Sequence, residues 1–194
     1  MKKTLVTAFV LVVLVQLAVP AKMIFDRETV LAEGEAFKFK TAPVDPNDPF
    51  RGKYVALQFR HDEVKISNKH TWKRGETVYA HLKPAADGFA RVVAISKQKP
   101  DAAIPYLKTK VLYESTQNSD RTLHLDFPFD RFYMEESKAP EAEVIYNETF
   151  LEDDSDEGQL TYALVKISEG EAVLEDVLID GVSLKQLVEE RQKE

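Results

Sequence analysis

TVYAHLKPAADGFARVVAIS, residues 77–96, places a Tyr-Ala strand, a short turn carrying Gly88 and a second apolar strand in a row; its reading as a hairpin decides the fold class. Glycine supplies the positive φ that a tight connection needs. A second stretch, LTYALVKISEGEAVLEDVLIDG (160–181), has the same parts in the same order, with Gly170 in the turn. Tyr79 and Tyr162 fall at equivalent positions on the first strand of each. Two copies are too few for a repeat array. They predict a duplicated hairpin within one sheet or open barrel.

Other segments extend the same reading. Residues 36–41 alternate apolar and charged side chains, the period of a half-buried strand. Residues 54–59, 106–113 and 122–125 are further strand candidates, each bounded by glycine, proline or a polar cluster. The stretch APVDPNDP (42–49) interrupts them with three prolines that hold the backbone extended or in turns. Residues 139–151 read as a short amphipathic helix with Pro140 in its first turn and one acidic face. Ser183 as N-cap with Gln186 three residues on fits a capping box, which opens a solvent-facing terminal helix through Arg191. The predicted class is mainly β with minor helix: an N-terminal transmembrane helix over residues 1–34, then one β-sheet or open-barrel domain over 35–194, with duplicated hairpins and short helices.

The N-terminus begins Met1-Lys2-Lys3 and is then apolar from Leu5 to Val19 except for Thr7 and Gln16, with Met23-Ile24-Phe25 after Lys22. Two readings fit. A cleaved signal peptide would use Val19-Pro20-Ala21 as its small-residue motif. An uncleaved anchor would run from Leu5 to Phe25, long enough to cross about 30 Å of hydrocarbon, with Lys22 snorkelling near its far end. The second is favoured because no proline or glycine interrupts residues 26–33 before Gly34, so the helix continues where a cleavage site needs extended chain. Lys2 and Lys3 then hold the start on the cytoplasmic side, and the rest lies outside the inner membrane.

Composition narrows the chemistry. After removal of the first 21 residues with Lys2 and Lys3, 24 basic residues face 33 acidic ones, and residues 134–157 alone, with ten acids against Lys138, supply the whole excess. Nucleic acid is an unsuitable partner for such a surface. Cysteine is absent, which removes disulfides and thiolate nucleophiles together. No G-x-S-x-G motif occurs, and Ser67, Ser96, Ser115 and Ser119 sit in polar, turn-like contexts. His61-x-Glu63 and His124-x-Asp126 each put two potential ligands on one strand face, yet the spacing matches no metal site, and neither metal nor cofactor is expected. The acidic LEDDSDEG (151–158) fails as a calcium loop: begun at Asp153, its twelfth position would be Leu164 where a bidentate glutamate is needed. Trp72, among Lys69, His70, Lys73 and Arg74, reads as a core anchor beside a basic turn.

PVDPNDPFRGKYVALQF (43–59), the single N-terminal apolar helix, a later RGETVYAHL (74–82) and the closing VLIDG (177–181) together resemble the GDYXXLXY family of bacterial membrane-anchored proteins. The motif falls on Gly52, Lys53, Tyr54, Leu57 and Phe59, with lysine for its aspartate and phenylalanine for its last tyrosine, departures that argue against a catalytic aspartate. The likeness is strongest over residues 16–59 and weakest over 101–156. It implies a helix kept as a membrane span and a multi-pass membrane protein as partner, since members are often encoded beside one. Physically, Gly52 lets the chain turn out of the proline segment, Arg51 can donate to carbonyls freed there, and Tyr54 and Leu57 fall on opposite strand faces. Arg74-Gly75 repeats that device before the first hairpin. These six residues are the candidate binding positions. The expected function is a noncatalytic, membrane-anchored accessory or binding subunit; a carboxylate-dependent hydrolase and a carrier of a lipid or cell-wall ligand are the alternatives.

Overall fold

The protein is described by a computed structural model over residues 2–42, 54–66, 71–101, 104–117, 120–151 and 159–193. In chain order its elements are α1 (Lys2–Glu33), β1 (Glu35–Ala42), β2 (Tyr54–Ala56), β3 (Gln58–Phe59), β4 (Glu63–Ile66), β5 (Thr77–Pro84), β6 (Ala90–Ser96), β7 (Tyr106–Gln117), β8 (Asp120–Asp126), β9 (Arg131–Tyr133), α2 (Ala139–Leu151), β10 (Thr161–Ser168), β11 (Glu171–Ile179), β12 (Val182–Ser183) and α3 (Leu184–Arg191). The class is mainly β, as the alternating segments require.

Two five-stranded antiparallel sheets dominate, in the orders β12-β11-β10-β1-β3 and β4-β8-β7-β5-β6, with a two-stranded ribbon of β2 and β9. The second sheet curls until its edges β4 and β6 approach each other without a shared hydrogen-bond ladder, a nearly closed barrel. Its interior is filled by Val78, Leu107, Leu123 and Leu125, none more than 1% exposed. The two sheets are stitched where Leu107 bridges Gly170 in parallel and the Lys108 amide donates to the Gly170 carbonyl at 2.9 Å. In the core, Phe39, Phe59, Phe127 and Phe129 form an aromatic knot with ring centroids 5.0 to 6.2 Å apart.

The duplicated hairpin is present, and the likeness runs deeper than composition. β5 pairs with β6 and β10 with β11, and in each pair the register slips two residues after the tyrosine of the Tyr-Ala strand: between His81 and Leu82, and between Leu164 and Val165. Each slip leaves one residue of the second strand, Val93 or Glu175, without a partner. The second hairpin closes through Glu169 and Gly170, at φ 50° and 86°, which is the primed two-residue turn matched to strand twist.

α1 is one unbroken helix, because only Pro20 interrupts its helix formers. It stops at Gly34 for a steric reason rather than a left-handed turn: a β-carbon there would lie 2.4 Å from the Val30 carbonyl oxygen and 3.1 Å from the Ile167 amide. Val30 is buried, α1 touches β10 and β11, and β1 starts at the next residue after Gly34, so the helix enters the head without a linker.

Three expectations change. Residues 54–59 do not make one strand: the chain swaps partners at Leu57, with β2 on β9 and β3 on β1. The short strands β4, β9 and β12 carry too few residues for periodicity to reveal them. The terminal helix is not solvent-facing, because Leu184 and Val188 are fully buried against α2 and β11, and Arg191 pairs with Glu141 and Glu148 of α2 at 2.9 and 2.8 Å. Ser183 caps α3 by accepting from the Lys185 amide at the second helical position, while Gln186 turns away to donate to Glu190, so α3 has a plain N-cap rather than the capping box. Trp72 is a core residue, capped by the Lys97 ammonium 5.1 Å above its ring.

Candidate functional site

Strand β2 brings Tyr54 to the β9 ribbon. Tyr54 pairs with Tyr133, Val55 with Phe132 and Ala56 with Arg131. The period of two sends Val55 and Phe132 into the core and leaves Tyr54, Arg131 and Tyr133 on the outer face. There the Tyr54 and Tyr133 rings lie 5.6 Å apart, and the Arg131 guanidinium sits 5.0 Å from the Tyr54 ring. The Tyr133 hydroxyl, followed by Asp130, raises the Arg131 pKa, so this cation is permanent. Leu57 is buried and its amide donates to the Asp130 carbonyl at 2.8 Å. Tyr54 and Leu57 thus both engage the segment 130–133.

The far side of that segment lines an open groove of about 430 Å³, walled by Arg27 of α1, residues 129–133, residues 172–175 of β11 and Lys185 at the start of α3. The Lys185 ammonium stands 5.2 Å over the Phe132 ring. Arg27 and Lys185 form no ion pair among the described residues. Glu175, the residue left out of register by the β11 slip, supplies an acid on the opposite wall. The lining combines the exposed Tyr133 with Arg27, Arg131 and mixed charge, residue types enriched at protein interfaces, and holds neither serine nor histidine.

Arg74 and Gly75 lie elsewhere. Gly75 has φ 79°, its amide donates to the Val111 carbonyl at 2.8 Å, and the Glu76 carboxylate accepts from the Lys73 amide at 3.1 Å. This turn starts β5 in the barrel and shares no strand pairing with β2. Arg51 and Gly52 lie outside the described residues. Arg131, Tyr133, Glu175 and Lys185 escape a reading of the sequence; the aromatic run FPFDRFY (127–133) was the available signal, and Pro128 obscured it as a strand.

One cluster imitates a catalytic relay. Ser115 Oγ lies 3.3 Å from His124 Nε2, and Glu63 Oε2 lies 3.8 Å from the same nitrogen. A relay needs nucleophile and carboxylate on opposite nitrogens of the ring, so this arrangement cannot move a proton from serine toward glutamate. Tyr113 stacks on the imidazole at 4.2 Å, which fixes it as packing. Beside it, burial raises the Asp62 pKa, with Glu63 adding and His124 opposing. A raised folded-state value favours the protonated carboxyl: the contribution is fully present in acid and is lost as pH rises through that value. Asp62→Asn is therefore expected to raise the thermal midpoint at about pH 7, with the gain shrinking toward about pH 4. Melting both proteins at the two pH values checks it; a gain that grows in acid reverses the sign.

The family model described as GDYXXLXY protein matches residues 16–177. Neither the curated proteins nor the solved structures gave a match.

Proposed function

The chain belongs to the GDYXXLXY family, and on that premise we propose that it acts without catalysis, as an accessory subunit held in the bacterial inner membrane by α1 and binding a multi-pass membrane protein. The observation that carries this reading is the state of α1: it is long and apolar enough to span a membrane, and its large side chains are exposed to the tip of the run, Leu5 by 70%, Phe9 by 67% and Phe25 by 71%. A soluble protein does not leave such a surface in water. Lys2 and Lys3 favour a cytoplasmic N-terminus, which sets the head beyond the membrane. The β9 face and its groove sit on the same side of the head as Arg27, two residues past the apolar run, where they meet whatever else occupies the bilayer surface. Anchoring confines that face to two dimensions and raises its effective concentration toward a membrane partner. The packed barrel interior favours this role over a carrier, which needs a wide apolar cavity.

A photo-crosslinking residue in place of Tyr133, activated in intact membranes, is expected to yield an adduct with an integral membrane protein. Arg131→Glu should reduce that adduct about tenfold, the effect of losing one arginine anchor from an interface. Labelling confined to soluble proteins, or an adduct indifferent to Arg131, would count against the reading.

A further inference from the structure

We propose that Gln16 joins two copies of this chain within the bilayer. The inference rests on α1 being an uncleaved membrane span. From Leu5 to Phe25 the apolar run is 21 residues, about 31 Å of helix, and matches the hydrocarbon thickness. Its central residue is position 15, so Gln16 lies within about 1.5 Å of the midplane.

Three polar side chains interrupt the run, and Lys22 near its far end pairs with Asp26. Thr7 satisfies itself, its hydroxyl donating to the Lys3 carbonyl at 3.0 Å. The Gln16 carboxamide has no hydrogen-bond partner among the described residues. Pro20 compounds the deficit, because it stands four residues on inside the helix and has no N–H to offer the Gln16 carbonyl. One residue thus brings two amide N–H donors, an amide oxygen and a freed backbone carbonyl to the depth where lipid supplies neither donors nor acceptors.

A second copy closes that account. Parallel chains with the same orientation set both Gln16 residues at one depth by symmetry, and a carboxamide is its own complement, since each donates to and accepts from the other. Each chain contributes two donors and two acceptors, so the pair balances without any further component. Polar side chains of this kind are the usual adhesive between membrane helices. The face that carries Gln16 also carries Val12, Val13, Val19 and Met23 at helical spacing, while Leu14 and Ala18 lie opposite.

The chain has no cysteine, which makes the test clean. Single cysteines at Val12, Val13, Val19 or Met23 of the full-length protein, oxidised in native membranes, should give disulfide-linked pairs, whereas cysteines at Leu14 or Ala18 should not. Gln16→Leu should lower the linked fraction about tenfold at limiting oxidant, and Gln16→Asn should retain it. Equal linkage on both faces, no linkage, or linkage of the Gln16 face to a different protein overturns the proposal while leaving the anchor standing. N-terminal sequencing that finds Lys22 as the first residue removes both.

Discussion

Gly170→Ala is expected to destabilise the head by about 3 kcal/mol and to lower its thermal midpoint by roughly 10 °C. Two penalties coincide there. The residue sits at φ 86°, where a β-carbon costs about 1 kcal/mol or more. That β-carbon would also lie 2.5 Å from Tyr106 Cε2 and 3.1 Å from Cδ2. Tyr106 cannot retreat, because it is buried and packed edge-on against Tyr79 with ring centroids 5.8 Å apart. The clash therefore opens the seam where Gly170 accepts from Lys108 and bridges Leu107, one of the contacts that join barrel to sheet. Gly181 is the internal control. It has φ 85°, but a β-carbon there meets nothing within 4 Å, so Gly181→Ala should cost only about 1 kcal/mol. Circular dichroism melts of the two variants compare them directly, and equal losses would refute the role of the Tyr106 contact.

Removal of residues 1–25 is expected to move the protein from carbonate-washed membranes almost wholly into the soluble fraction with its fold intact. The cut falls where the exposed apolar run ends: Ile24 and Phe25 are 64% and 71% exposed, whereas Val30 is buried in the head. A chain started at Gly34 loses that valine and should be weaker by about 1.5 to 3 kcal/mol. Fractionation measures the first effect and melting the second. A shortened protein that stayed with the membranes would shift the weight of attachment from α1 to the head.

Much of the fold was legible because its signals were local. The hairpins announced themselves through alternating strands with glycine turns, α2 through its amphipathic composition, and α1 through an apolar run long enough to span a membrane. What escaped depended on contacts distant in sequence. Leu57 looks like the middle of a strand, and only its bond to Asp130, 73 residues later, breaks that strand in two. β9 is three residues long and exists because β2 pairs with it. α3 shows only Leu184, Leu187 and Val188 as apolar positions, too narrow a stripe to reveal that two of them are fully buried beneath α2. The β9 groove was hidden for the same reason: Arg27, Arg131, Glu175 and Lys185 come from four separate elements. Tyr54 and Leu57 contact the segment 130–133 that walls the groove but do not line it themselves, and Arg74 and Gly75 belong to the turn that starts β5.

The direct passage from α1 through Gly34 into β1 gives this protein the mechanics of a handle fixed to a blade. With Val30 buried in the head and β1 starting directly after Gly34, in the anchored state proposed above the bearing of the groove relative to the lipid plane would follow from the tilt and azimuth of a single rod. One residue added between Phe25 and Arg27 would turn the whole head about 100° around that axis and lift it about 1.5 Å, aiming the Tyr54 and Tyr133 face at a different neighbour without altering a single contact within it.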